Sequence, residues 1–209
     1  MEFLHFVVHL ARDPGQIIAW GGYPALAAIV FLETGALIFF LPGDSLLVIA
    51  GFYAAQGSLQ LWALNALLIP MAIIGDATSY QVGRRYGPGL FANAQARLLK
   101  PEHLVAAQKF YERHGGQAII LARFVPVVRT FVPVAAGVSG MAYGKFATFN
   151  VLGGIGWVGS TTLIGYLLGS RFPALLDHIE LVILVVVAAS VVPGIIEWAR
   201  SRQPATDKP

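Results

Sequence analysis

The chain is 209 residues long, 56% hydrophobic and only 12% charged, with a formal charge of +3. That composition excludes an ordinary soluble domain and a disordered chain, and places the protein among integral membrane proteins. So small a positive charge, without a basic–aromatic patch, leaves no footprint for nucleic acid, and the absence of cysteine excludes disulfides and thiolate-held metals.

Residues 1–15 set Phe3, Leu4, Phe6, Val7, Val8 and Leu10 ahead of Arg12, Asp13 and Pro14, the pattern of a short interfacial helix. With no basic leader and no small-residue cleavage site, this stretch does not read as a signal peptide. Residues 16–33 can span a bilayer and end on Glu33. Residues 34–57 are cut by Pro42-Gly43-Asp44 into two arms, each too short for a crossing of about 20 residues. A re-entrant hairpin tipped at Pro42-Gly43-Asp44 fits them, because broken backbone is tolerated at membrane depth only where protein or a polar cavity satisfies it. Residues 58–83 form a long span carrying Pro70 and Asp76.

The hydrophilic region 84–116 holds Arg84, Arg85, Arg97, Lys100, Lys109 and Arg113. Lys100-Pro101-Glu102 starts a helix, and Leu104, Ala107, Phe110 and Tyr111 recur at helical spacing. This is a cytoplasmic helical segment and not a separate domain. Residues 117–143 then place Arg123 and Arg129, with Pro126, Pro133 and Gly137, in an otherwise apolar run. A charge near the bilayer centre costs about 2.5–3.5 kcal/mol, and proline removes a backbone donor. The segment therefore reads as a second re-entrant hairpin beside a polar cavity. Residues 144–170 form another span, 171–200 hold a last span interrupted by Pro193-Gly194, and 201–209 are a polar tail. Placing the basic loops inside puts both termini in the cytoplasm, with Arg171 the exception on the far side. The expected fold is one all-α membrane domain of about four transmembrane helices plus two opposed re-entrant helical hairpins, with interfacial and cytoplasmic helices.

Residues 50–85 and 136–171 share a pattern at a constant offset of 86: Ala50-Gly51 matches Ala136-Gly137, and Tyr80-x-x-Gly83-x-Arg85 matches Tyr166-x-x-Gly169-x-Arg171. One crossing separates equivalent points, so the two units are expected to be inverted, a common transporter plan with the site at the repeat interface. These short patterns also arise by chance in so apolar a chain.

Glu33, Asp44, Asp76, Arg123 and Arg129 form the one constellation able to carry chemistry. Unpaired at depth, five charges would cost on the order of 12–17 kcal/mol, so they are expected to pair where the hairpin tips meet, with Arg123 and Arg129 facing Glu33 and Asp44. Arginine presents a fork suited to carboxylate or phosphate, and buried acids are proton-binding sites. A phosphate-bearing substrate competing with a carboxylate for arginine would couple binding to protonation. The plainer readings put Glu33 and Asp76 near interfaces, make Asp44 a turn-capping residue, and make the arginines structural salt bridges. Asn150 and Trp157 face the cavity or hold a helix contact. Gly154-x-Gly156-x-x-Gly159 lies in a span, where close helix packing explains it better than a dinucleotide site. Tyr80 and Tyr166 read as interfacial anchors. The five histidines lack metal-ligand spacing, and no hydrolase motif is present.

Phe31-Leu32-Glu33, Leu41-Pro42-Gly43-Asp44-Ser45 and Ala50-Gly51 resemble the first signature of the DedA family. Gly75-Asp76-x-x-x-Tyr80-x-x-Gly83-Arg84 resembles its second, and Arg123-Phe124-x-Pro126-x-x-Arg129-Thr130 with Pro133, Ala136-Gly137, Met141, Phe146, Asn150 and Gly153 its third. The resemblance covers about 20–170; eukaryotic relatives carry the region as the VTT domain of lipid scramblases. Glu33-Thr34 departs from the Glu-Asn of many members. The resemblance implies a bacterial inner-membrane protein with two opposed re-entrant loops, dependence on the proton-motive force and, in some members, recycling of undecaprenyl phosphate. It maps functional acids onto Glu33 and Asp44 and functional arginines onto Arg123 and Arg129.

The resulting expectation is a proton-coupled lipid flippase, not an enzyme, with no cofactor and no metal. Arg123 and Arg129 hold the phosphate of a polyprenyl lipid, Glu33 and Asp44 exchange protons, and Asp76 tunes the site. Pro42, Gly43, Pro126, Pro133, Gly137 and Asn150 support the hairpins and their packing. The partners are a membrane lipid, polyprenyl phosphate or phospholipid, and protons, with a homo-oligomer left open. The alternatives are a passive phospholipid scramblase, a flippase for another phospholipid such as phosphatidylethanolamine, a non-transporting membrane scaffold and, last, a membrane phosphatase.

Overall fold

A computed structural model describes residues 14–35, 43–90 and 115–172, with side chains for all of these but 14–20, 87–90 and 126–127. Among them there are six helices and no strand: α1 Pro14–Gly35, α2 Gly43–Ala55, α3 Leu61–Leu90, α4 Gln117–Ala122, α5 Pro126–Val138 and α6 Tyr143–Arg171. The expected interfacial N-terminus, the hairpin tip at Pro42, most of the cytoplasmic segment, the last span and the polar tail lie outside the described residues.

Leu61–Tyr86 in α3 and the whole of α6 are long and apolar enough to cross a membrane. Their outward sides are apolar as well: Trp62 and Ile74 on α3, and Leu152, Ile155, Leu163, Ile164 and Leu167 on α6, stand exposed. Helix α2 is buried on nearly every side, from Ser45 to Phe52 without a break. Such all-round apolar character is what a central helix needs.

The packing is reciprocal. Helix α2 makes its largest contact with α6, α5 makes its largest contact with α3, and α3 and α6 pack on each other. Each short helix thus leans on the long helix from the other half of the chain. Helix α1 packs on α3 as α4 packs on α6, which completes the correspondence. One apolar cluster gathers Leu26, Val30, Leu46, Leu47, Leu64, Leu68 and Trp157. A second gathers Tyr80, Ile119, Phe131, Val132, Ala135 and Phe146.

Several local features differ from expectation. Helix α1 is bent at Gly22, whose φ of 50° and ψ of −138° lie outside the helical region; only glycine adopts such values cheaply. Pro24 follows in the first turn after the bend, where a missing N–H breaks no bond. Helix α3 does not stop at Gly83 but runs on through Arg84 and Arg85, and Gly83 is a packing position within it: a Cβ there would strike the Val134 backbone of α5. Pro133 lies inside α5 and does not break it; the break falls at 123–125, and Pro126 opens α5 at its first turn. Tyr80 is not an interfacial anchor. It is wholly buried, donates its hydroxyl to the Met141 carbonyl, and stacks on Phe146 at 4.4 Å, so its polar tip is satisfied in the interior. In the glycine run of α6, Gly154 packs on Ile73 and Gly159 approaches Asn65, while Gly156 faces open space.

Candidate functional site

Five chain segments bring the charged residues together. Glu33 lies in the last turn of α1, and Asp44 in the first turn of α2, where the helix dipole favours a carboxylate. Asp76 is midway along α3. Arg123 caps the C-terminus of α4. Three residues later the chain re-enters helix at Pro126, which sets Arg129 in the first turn of α5.

Arg129 grips two acids. Its Nη1 donates to Asp44 Oδ1 at 2.8 Å, and its Nη2 pairs with Glu33 Oε1. Glu33 and Arg129 are buried, and the Asp44 side chain is 23% exposed. Asp44 Oδ1 also accepts the indole N–H of Trp157 at 2.9 Å. The Arg129 guanidinium lies over the Trp157 ring at 4.8 Å from its centroid. Gly43 sits directly against the Glu33 carboxylate, and a Cβ there would collide with it.

Arg123 takes a different partner. Its Nη2 meets Asp76 Oδ2 at 2.6 Å and Asn150 Oδ1 at 2.5 Å, with the Ala72 carbonyl further off at 3.5 Å. Asn150 Nδ2 donates to the Ile73 carbonyl at 2.9 Å, which fixes its amide so that the oxygen faces Arg123. The Arg123 guanidinium is 5.9 Å from the Trp157 centroid. The expectation that both arginines face Glu33 and Asp44 therefore holds for Arg129 alone. The break at 123–125 sends Arg123 toward the middle of α3, so the site is two ion-pair clusters with Trp157 between them.

Glu33 is 2% exposed and Asp76 5%, so neither is an exposed interfacial acid. Gly137 packs its backbone on Tyr80 and Arg84 of α3, holding α5 close enough for Arg129 to reach α1 and α2. Pro126 supplies the start of α5. Pro42 is outside the described residues.

Trp157 is the central residue that the sequence left undecided. The available signal was its spacing: Asn150, Gly153, Gly154 and Trp157 recur at i, i+3, i+4 and i+7, one helix face. All four are buried, and Gly153 leaves room for Arg123, whose Cδ would lie 2.9 Å from an added Cβ.

Two features bear on chemistry. Three carboxylates face two guanidiniums, so with all five ionised the site holds one excess negative charge. Among the described residues, two buried atoms, Glu33 Oε2 and Arg123 Nε, have no hydrogen-bond partner. The carboxylate oxygen can accept a donor or a proton, whereas the Arg123 Nε–H, already protonated, can only donate to an acceptor.

The VTT domain model matches residues 41–167. The Escherichia coli K12 protein DedA is 42% identical over 205 residues, covering 97% of this chain and 93% of that protein. An uncharacterized membrane protein of Mycobacterium leprae is 41% identical over 183 residues, 88% of this chain and 82% of its own. The Escherichia coli K12 inner membrane protein YghB is 38% identical over 157 residues, 75% of this chain and 71% of its own. No solved structure matches. Ion pairs joining the signature segments, a domain match over most of the chain and near full-length similarity converge: the chain is a membrane protein of the DedA family.

Proposed function

We propose that the protein is a proton-coupled flippase for a phosphate-headed lipid, a polyprenyl phosphate such as undecaprenyl phosphate. The observation that carries this reading is the double grip of Arg129 on Glu33 and Asp44. Two carboxylates from separate segments occupy the two ends of one guanidinium. A phosphate, with several oxygens around one centre, is the ligand that replaces both.

The exchange has a charge logic. With Glu33, Asp44 and Asp76 ionised against Arg123 and Arg129, the site carries a net −1 and repels an anion. Protonating Glu33 and Asp44 turns it to +1 and frees the Arg129 fork. A phosphate monoanion then neutralises the site. Lipid and protons bind together and leave together, so the proton gradient drives the lipid toward the less acidic side. Asp76 stays on Arg123 and keeps that guanidinium from over-binding the headgroup.

In this reading the chain crosses the inner membrane about four times with both termini in the cytoplasm. Residues 34–57, which include α2, and residues 117–143, which include α4 and α5, are the two re-entrant hairpins, entering from opposite sides, and α1 is the first crossing. The reciprocal packing of α2 on α6 and α5 on α3 supports that arrangement.

The test is translocation in proteoliposomes of a fluorescent polyprenyl phosphate, with and without an imposed pH gradient. Gradient-driven movement that Arg129→Ala abolishes supports the reading. Movement indifferent to the gradient makes the protein a scramblase, movement of phosphatidylethanolamine instead makes it a flippase of another class of lipid, and no movement of any lipid leaves a scaffold.

A further inference from the structure

We propose that Trp157 is the positioning residue that couples the two ion-pair clusters. Through its N–H it holds Asp44 on Arg129 in the carboxylate-bound state, and through its ring it holds the Arg129 guanidinium in place once the carboxylates have left. The inference rests on the flippase reading for its consequence, but its geometry stands apart from the lipid's identity.

The indole N–H donates to Asp44 Oδ1, the same oxygen that takes Arg129 Nη1. A tryptophan that only filled space could direct its N–H at a backbone carbonyl; this one bonds a charged group of the site. Its ring lies within the roughly 6 Å reach of a cation–π contact for both arginines, at 4.8 Å for Arg129 and 5.9 Å for Arg123. Trp157 is 2% exposed, so these contacts are desolvated and stronger than on a surface. Tryptophan alone joins a large electron-rich face to a donor that never accepts. A hydrogen bond to a charged acceptor is the stronger kind, so the N–H adds to the hold on Asp44 while Arg129 grips the same oxygen. When the carboxylate leaves, that bond is lost, while the ring still attracts a guanidinium that has lost its counter-ions. Arg129 is thereby kept in position to receive a phosphate.

The charged groups in contact with Trp157 are Asp44, Arg129 and Arg123, and their partners are Glu33 and Asp76. Two variants separate the roles of the indole. Trp157→Phe keeps a ring and removes the donor, and is expected to lower the KM for polyprenyl phosphate about threefold, because Asp44 then competes less well for Arg129. Trp157→Leu removes the ring, and is expected to raise the KM for polyprenyl phosphate about tenfold or more. Trp62→Phe, at an exposed position, leaves the KM unchanged. A wild-type KM in both Trp157 variants would overturn the proposal.

A second measurement needs no transport and so distinguishes failure of this inference from failure of the flippase reading. Trp20, Trp62 and Trp198 are replaced by phenylalanine, leaving Trp157 as the sole tryptophan of the four. Its emission in detergent is compared with and without Asp44→Asn. The proposal expects a shift of the emission maximum on Asp44→Asn, because the charged acceptor of the indole N–H is lost. An unchanged maximum overturns it whatever the protein transports.

Discussion

Gly51 and Gly137 each pack on the long helix from the other half of the chain. Gly51 lies against the backbone of Thr162 and Tyr166 in α6, and Gly137 lies against the backbone of Tyr80 and Arg84 in α3. The two glycines are 86 residues apart, and so are the two tyrosines. The glycine of each half is thus seated at the tyrosine of the other. Close approach of helix backbones requires the missing Cβ, and here it interlocks the halves so that the short helices carrying Asp44 and Arg129 are held against the long ones.

That contact predicts a sharp positional contrast. Gly51→Val and Gly137→Val force side chains into backbone and are expected to cost about 1–3 kcal/mol or more, lowering the melting temperature in detergent by about 3–10 °C. Gly156 faces open space on α6, so Gly156→Ala is expected to hold or raise stability, by at most about 1 kcal/mol. Thermal unfolding of the three variants checks the contrast.

Arg129→Ala leaves the buried Glu33 and the half-buried Asp44 without a counter-ion, and loss of one partner from a buried pair costs about 3–5 kcal/mol. Adding Glu33→Gln and Asp44→Asn to the same chain removes the stranded charges and is expected to restore most of the stability but none of the transport. Arg129→Lys keeps the charge and loses the fork, and a point charge cannot span two carboxylates. Its stability is expected to fall less than that of Arg129→Ala, and its transport about tenfold. Unfolding and proteoliposome flux, measured on the same preparations, separate the two effects.

The charged residues were legible in the sequence because ionisable groups at membrane depth are costly and hence conspicuous. Their pairing was not. Arg123 and Arg129 are six residues apart and read as one basic stretch, but the turn at 123–125 divides them between α4 and α5 and gives them different acids. Tyr80 was misplaced for a related reason: tyrosine prefers an interface when its hydroxyl needs water, and nothing in the local sequence announces a Met141 carbonyl 61 positions away. The bend at Gly22 was equally hidden, since glycine inside an apolar run marks a contact as often as a break. Periodicity reports which face is buried, and long-range contact decides against what.

The Arg123–Asp76 pair predicts a different phenotype from Arg129. Asn150 and two α3 carbonyls complete its surroundings, so it is a braced strut between α3, α4 and α6. Arg123→Met alone strands Asp76 and is expected to cost about 3–5 kcal/mol, whereas Arg123→Met with Asp76→Asn is expected to recover at least half of that. A double-mutant cycle on unfolding free energies gives the coupling directly. Gly153→Ala tests the same strut from behind: its Cβ would press on Arg123 Cδ, and transport is expected to fall several-fold with little change in expression.

The charge arithmetic of the site sets the direction of its pH dependence. A site at −1 with both Arg129-bound acids ionised becomes +1 when both are protonated, so affinity for a phosphate lipid is expected to rise as pH falls and to be lost as pH rises. If two protons accompany each lipid, the logarithm of affinity changes by up to about two units per pH unit across the transition. Glu33→Gln makes one of those protons permanent in effect, because the amide is neutral and nearly the same shape. The slope is then expected to drop toward about one, with binding persisting to higher pH and uphill transport weakened. Binding of farnesyl phosphate to the detergent-purified protein between pH 5 and 8, corrected for the ligand's own second ionisation at about pH 6, gives the slope. A slope of about one in both the wild type and Glu33→Gln would mean that Glu33 keeps its charge state throughout, and the single proton would then be carried by Asp44, the other acid that Arg129 holds among the described residues.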